Sequence, residues 1–137
     1  MRYVLDANIA IGALNRVESV RLALAAVPAA DVGVPILALA ELYFGAYKSQ
    51  RRDENLGKVQ ALANTFAVLP VTGAVVDLYG QTRAALERRG LVKTDFDLII
   101  ACTALALKAT LVTNDRSLLD GSIPELQTAN WLGGAIG

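Results

Sequence analysis

The sequence contains no histidine and only one cysteine, Cys102. Zinc sites built from cysteine and histidine need several such ligands, and most catalytic triads need a histidine base, so both kinds of site are excluded. A single cysteine also cannot form a disulfide within the chain. Its apolar surroundings, IIACTAL, predict that Cys102 lies in the core.

Net charge and long apolar runs are also missing. Lys plus Arg total 13 and Asp plus Glu total 13, so net charge gives no general argument for a nucleic acid, a membrane or an acidic ligand. Because Arg21, Asp31 and Glu41 interrupt the most apolar region, we expect no membrane span. The N-terminus has no cationic segment ahead of an apolar stretch, so we expect a cytoplasmic protein.

The order of apolar segments predicts an α/β fold. Short apolar runs alternate with longer segments of helical period, which is typical of a central parallel sheet, and 137 residues suit a single domain over 1–137. We expect strands over 3–5, 32–34, 66–70, 110–113 and 126–129. We expect helices over 7–15, 18–27, 36–48, 54–64, 73–89, 96–108 and 116–119.

Acidic residues follow two of the predicted strands. Asp6 comes directly after YVL, and Asp115 follows TLVT after one further residue. Ligands of open parallel sheets gather beyond the carboxyl ends of the strands, so both acids are expected at one edge of the sheet. The alternative is that each only caps the helix that follows it.

Two further acids lie in apolar helical segments. Asp97 falls in the first turn of the helix in TDFDLIIACTALAL, where it either serves a site or completes a capping box with Thr94; Asp95 could equally cap this helix. Glu41 is the sole acid of ILALAELYFGAYK, on a stripe with Gly45 that leaves room for a ligand. The alternative for Glu41 is a solvated helix face.

The four acids are more informative together than singly. Four converging carboxylates would repel one another and raise their own pKa values. A hard divalent cation such as Mg²⁺ relieves this repulsion, because it prefers oxygen ligands and keeps several waters for a phosphate substrate and its nucleophile. The sequence contains no P-loop, GxGxxG or GxSxG motif that would indicate a different chemistry.

With these acids in this order, the sequence resembles the PIN-domain ribonucleases, specifically the VapC-type toxins of bacterial toxin–antitoxin pairs. The resemblance lies in YVLDANIAIGAL, ILALAELYFGA, TDFDLIIACTALAL, TLVTND and IPELQTANW, which run from end to end of the chain. It implies a three-layer α/β/α sandwich, a homodimer, and an antitoxin that covers an apolar groove and blocks the site. Ala7 departs from the family, which often has Ser or Thr there.

The resemblance also implies a reaction, the hydrolysis of RNA phosphodiester bonds with Mg²⁺ or Mn²⁺. Asp6 and Asp97 match the main metal ligands of the family, and Glu41 and Asp115 complete its acidic site. Asn8 and Thr113 match positions that support this pocket. Basic residues are expected to guide the RNA backbone, although such residues are usually solvated helix ends; the candidates are KSQRR (48–52), Arg88, Arg89 and Lys93.

Two other functions fit less of the sequence. An aspartyl phosphatase would need an acid two residues after Asp6, where this chain has Asn8. A non-catalytic PIN-like module that binds RNA or protein would be expected to lack one or more of the acids, whereas all four are present.

Overall fold

A computed structural model describes residues 1–133 of the chain. Its sheet has five strands in the order β3-β2-β1-β4-β5, and every neighbouring pair is parallel. The parallel sheet and all five predicted strands are confirmed, with β5 shorter than expected. The strands are β1 (Tyr3–Leu5), β2 (Val32–Pro35), β3 (Ala67–Leu69), β4 (Thr110–Val112) and β5 (Thr128–Ala129).

Within residues 1–133, seven α-helices flank the sheet, which confirms the predicted three-layer α/β/α sandwich. A short 3-10 helix at Ala29–Asp31, which the sequence did not predict, leads into β2. None of the helices in this range is long and apolar enough to cross a membrane. The α-helices are α1 (Ala7–Leu14), α2 (Glu18–Ala25), α3 (Ile36–Lys48), α4 (Arg52–Thr65), α5 (Gly73–Arg88), α6 (Asp95–Leu107) and α7 (Arg116–Leu119).

The central strands are apolar because both of their faces are covered. Val4 and Leu5 of β1 and Leu111 and Val112 of β4 are fully buried, as expected for strands between two helical layers. Cys102 is buried in α6, which confirms its predicted place in the core.

Gly33 of β2 allows a close approach between neighbouring strands. A Cβ atom at this position would lie 2.7 Å from Cδ1 of Leu69 on β3. A side chain here would therefore displace Leu69 from its place against the sheet.

The carboxyl edge of the sheet brings distant parts of the chain together. Leu5 pairs with Val112, and the amide of Asp6 donates to the Val112 carbonyl at 2.9 Å. A helix that precedes a parallel strand runs opposite to it, so the first turn of α6 also lies at this edge. Helix α3 packs against both α1 and α6 and completes the surroundings of the edge.

Candidate active site

Asp6 is held rigidly at the end of β1. One carboxylate oxygen, Oδ1, accepts a hydrogen bond from the Ala7 amide at 2.8 Å, so Asp6 does cap α1. The other oxygen, Oδ2, accepts from the Thr113 hydroxyl at 2.7 Å. The residue is only 5% exposed. Capping and a role in a site are therefore compatible for this residue, because its two oxygens have different partners.

Thr113 connects two of the predicted acids. It is fully buried, donates to Asp6, and accepts from the Asp115 amide at 3.0 Å through the same hydroxyl oxygen. Asp115 in turn caps α7, with Oδ1 accepting from the Ser117 amide at 2.9 Å. One hydroxyl therefore fixes the carboxylate of Asp6 and the backbone of Asp115.

Asp97 lies half-buried in the first turn of α6, as predicted. The N-cap is Thr94, whose hydroxyl accepts from the Asp97 amide at 3.2 Å. Asp97 thus contributes its backbone to the cap, while the nearby Asp115 raises the pKa of its carboxyl. Asp95 points to other partners, because its carboxylate accepts from the Tyr79 hydroxyl at 2.7 Å.

Glu41 lies on the exposed side of α3, next to a groove of about 240 Å³ between α1, α3 and α4. Gly45, one turn further along α3, lines the same groove. Apart from its chain neighbours and the backbone of α3, no described atom lies within 4 Å of the position its Cβ would occupy. The space that the sequence predicted beside Glu41 is therefore present.

The pKa values of Asp6, Asp97 and Glu41 are raised, and the charges of neighbouring acids contribute to each rise. Burial raises the pKa of Asp6 most, and the charge of Asp115 raises it further, against the hydrogen bonds from Thr113 and Ala7. Burial followed by the proximity of Asp115 and Asp6 raises the pKa of Asp97, although Thr94 lowers it. Partial desolvation and then the charges of Asp6 and Asp97 raise the pKa of Glu41. The structure thus brings all four predicted acids into one electrostatically coupled region.

The donors in this region suit a hard divalent cation. All four acids offer carboxylate oxygens, and the Oδ1 atom of Asn8 in the first turn of α1 is buried with no hydrogen-bond partner among the described residues. Within residues 1–133, no three acids are already gathered as a set of metal ligands. An ion that retains several of its own waters, as Mg²⁺ does, matches such a spaced set of carboxylates.

The basic residues divide into two groups. Arg51, Arg52 and Lys48 at the α3–α4 connection are exposed, as is Arg88, so they remain candidates for contact with a nucleic-acid backbone. For Lys93 the expectation was wrong: its side chain is 4% exposed, and its amine bonds to the backbone carbonyl of Ser117.

Arg89 is also engaged within the protein, because its guanidinium donates to the Ser122 carbonyl at 2.8 Å. Sequence reasoning missed the internal roles of Lys93 and Arg89. No local pattern distinguishes a buried lysine in a connection from an exposed one.

Comparison with known families identifies one that spans most of the chain. The PIN domain matches residues 3–121. The chain therefore belongs to the PIN-domain family.

Within this family, its relatives include VapC ribonucleases. Ribonuclease VapC2 of Rickettsia felis is 32% identical over 133 residues, which cover 96% of this chain and 98% of that protein. The tRNA(fMet)-specific endonuclease VapC of Shigella flexneri is 30% identical over 132 residues, with coverage of 96% and 98%.

Solved structures that resemble this chain include VapBC complexes. The toxin–antitoxin complex VapBC2 of Rickettsia felis, bound to a DNA fragment from its promoter, has a chain that superposes with a TM-score of 0.86 at 32% identity. That match covers 96% of this chain and 99% of the other. DNA-bound VapBC of Salmonella typhimurium gives a TM-score of 0.88 at 26% identity, covering 96% and 98%.

Proposed function

We propose that this chain is a toxic endoribonuclease that hydrolyses RNA phosphodiester bonds with Mg²⁺ or Mn²⁺ and is neutralised by a cognate VapB-type antitoxin. The observation that carries the proposal is the link from Asp6 through the Thr113 hydroxyl to Asp115, with Asp97 and Glu41 coupled to these acids by charge. The names of the relatives, ribonuclease and endonuclease, support the choice of RNA as the substrate.

Asp6 and Asp97 would hold the principal ion, and Glu41 and Asp115 would hold a second ion or orient its waters. When bound, the ion supplies an activated water and offsets the charge that develops on the scissile phosphate. The Thr113 hydroxyl keeps the Asp6 carboxylate in one orientation. A site for phosphodiester hydrolysis needs metal ligands that are fixed in this way. Asn8 would support the pocket from the first turn of α1.

The groove beside Glu41 is where we place the antitoxin. Its walls include Ile11, Leu14 and Val59, and Ile11 is 44% exposed. Phe44 and Tyr47, on the same helix as Glu41, are also largely exposed. A segment seated in this groove would reach Glu41 and block the acids. The solved VapBC complexes support such a partner. We expect the chain to form a homodimer as well.

The proposal is tested with variants of two acids that lie two residues apart on α6. The antitoxin-free protein should cleave structured RNA with Mn²⁺, and Asp97→Asn should reduce the rate by at least about 100-fold, as removal of a charged catalytic group does. Asp95→Asn is the matched control, because Asp95 bonds to Tyr79 outside the acidic region, and it should cleave like the wild type.

Asp6→Asn should also abolish cleavage and growth inhibition while circular dichroism shows an unchanged fold. Full activity of Asp6→Asn or Asp97→Asn would remove that residue from the site.

The alternative is a PIN-like module that binds RNA or protein without cutting. It is favoured by one observation, that no three acids within residues 1–133 are already gathered for metal binding. Retention of RNA in a filter-binding assay, with no cleavage at any Mn²⁺ concentration, would favour this alternative.

A further inference from the structure

Lys93 occupies an unusual place between α5 and α6. Its side chain is 4% exposed, its amine donates to the Ser117 carbonyl, and it lies 3.3 Å from an oxygen of Asp120. Lysine is almost never fully buried unless its charge is paired, so these contacts fix the amine in one place. Lys93 is therefore a buried connector between the start of α6 and α7.

Ser117 links this connector directly to an acid of the site. Its amide donates to Asp115 Oδ1 at 2.9 Å, while its carbonyl accepts from Lys93. Helix α7 has only four residues, so its carbonyls lack partners within the helix, and a lysine donor satisfies one of them. The amine therefore ties Ser117, whose own amide holds the Asp115 carboxylate, to the segment that precedes α6.

The other end of the connector leads to Asp97. Thr94 follows Lys93 in the chain, and its hydroxyl accepts from the Asp97 amide at 3.2 Å. One continuous path therefore runs from Asp97 through Thr94, Lys93 and Ser117 to Asp115. Asp97 lies in α6 and Asp115 caps α7, and β4 separates the two acids along the chain.

We propose that Lys93 is a positioning residue that sets the spacing of the Asp97 and Asp115 carboxylates and thereby the affinity of the site for a divalent cation. This inference rests on the proposed function. The guanidinium of Arg89 holds the same segment further along, at the Ser122 carbonyl. Lys93 acts through the two acids and, being buried, does not touch RNA.

The test is Mn²⁺ affinity of the full chain, measured by calorimetry without RNA, in the wild type and in Lys93→Met. Methionine keeps the length of the side chain and removes the amine. We expect the dissociation constant for Mn²⁺ to rise about 10-fold or more, the range seen when residues that orient metal ligands are replaced. Lys93→Arg, which retains a cationic donor, should restore most of the affinity.

Lys108→Met is the matched control, because it removes an exposed amine at the opposite end of α6. It should bind Mn²⁺ like the wild type. In cleavage assays, Lys93→Met should need about 10-fold more Mn²⁺ for half-maximal rate, with an unchanged KM for RNA. A raised KM for RNA at unchanged Mn²⁺ affinity would overturn the proposal and return Lys93 to contact with the RNA backbone.

Asp120→Asn is the second variant, to be measured if Lys93→Met does not fold. It removes the charged partner of the amine and leaves Lys93 and Ser117 in place, so we expect a smaller loss of Mn²⁺ affinity, about threefold, as for a half-exposed ion pair. The role of Lys93 would be refuted if a folded Lys93→Met bound Mn²⁺ with wild-type affinity. If Asp120→Asn is measured instead, wild-type Mn²⁺ affinity in that variant would refute it. A wild type that neither binds Mn²⁺ nor cleaves RNA would instead refute the proposed function.

Discussion

Replacing Thr113 by valine removes one hydroxyl from between two acids and preserves the shape of a fully buried side chain. The buried Asp6 carboxylate loses its 2.7 Å hydrogen bond, which costs about 1.5–3 kcal/mol for a charged acceptor. The Asp115 amide also loses its 3.0 Å acceptor, which adds roughly 1 kcal/mol. At neutral pH we therefore expect a loss of about 2.5–4 kcal/mol in the free energy of unfolding.

Thermal melts followed by circular dichroism measure this loss. For a chain of this length the unfolding entropy is about 0.3 kcal/mol/K, so the melting temperature should fall by roughly 8–14 °C. The effect should also depend on pH. The Thr113 hydroxyl lowers the pKa of Asp6, so without it the pKa rises further above its ordinary value. The difference between wild type and Thr113→Val should therefore widen as pH rises through these raised values and Asp6 ionises.

Thr103→Val is the matched control. Thr103 is buried as well, but its hydroxyl donates to the Ile99 carbonyl within α6, so its loss should cost about 1 kcal/mol or less. This cost should not vary between pH 4 and pH 8. A Thr113→Val variant no less stable than Thr103→Val, or equally destabilised at both pH values, would refute the account of Asp6.

Two further predictions concern stability. Asp97→Asn should melt at a higher temperature than the wild type in EDTA at neutral pH. Because the pKa of Asp97 is raised in the folded protein, its carboxyl stabilises the fold only at low pH, and this stabilisation is lost as pH rises. The Thr94 cap is retained, because it needs only the amide of residue 97. Excess Mn²⁺ should raise the wild-type melting temperature more than that of the variant, and a less stable variant in EDTA would contradict the repulsion. Gly33→Ala should destabilise the protein by about 1–3 kcal/mol, since its Cβ would lie 2.7 Å from Leu69. Gly57→Ala, at a position with open space, should be tolerated in the same thermal melts.

Much of the sheet could be predicted because its signal is local. Short apolar runs bounded by polar residues, such as YVL before Asp6, are typical of buried strands. The helices between these runs predict that neighbouring strands are parallel. The second strand extends one residue further than expected, to Pro35. The last strand was predicted from 126 but begins at Thr128, because only its pairing with β4 defines it.

The candidate site was predictable as far as it depends on strand ends and helix starts. Asp6 and Asp115 follow strands that lie side by side, and both turned out to be helix caps and members of the acidic region. The contacts of Lys93 were not predictable, because Lys93 and Ser117 lie 24 residues apart and meet only through the packing of α6 and α7.

The rate of RNA cleavage by antitoxin-free protein as a function of Mn²⁺ concentration tests the central claim most directly. If the coupled acids around Asp6 and Asp97 hold the ion, the rate should be zero in EDTA, rise with Mn²⁺ and saturate, and return fully when the ion is added back to chelated protein. Cleavage that continues undiminished in EDTA would contradict the account.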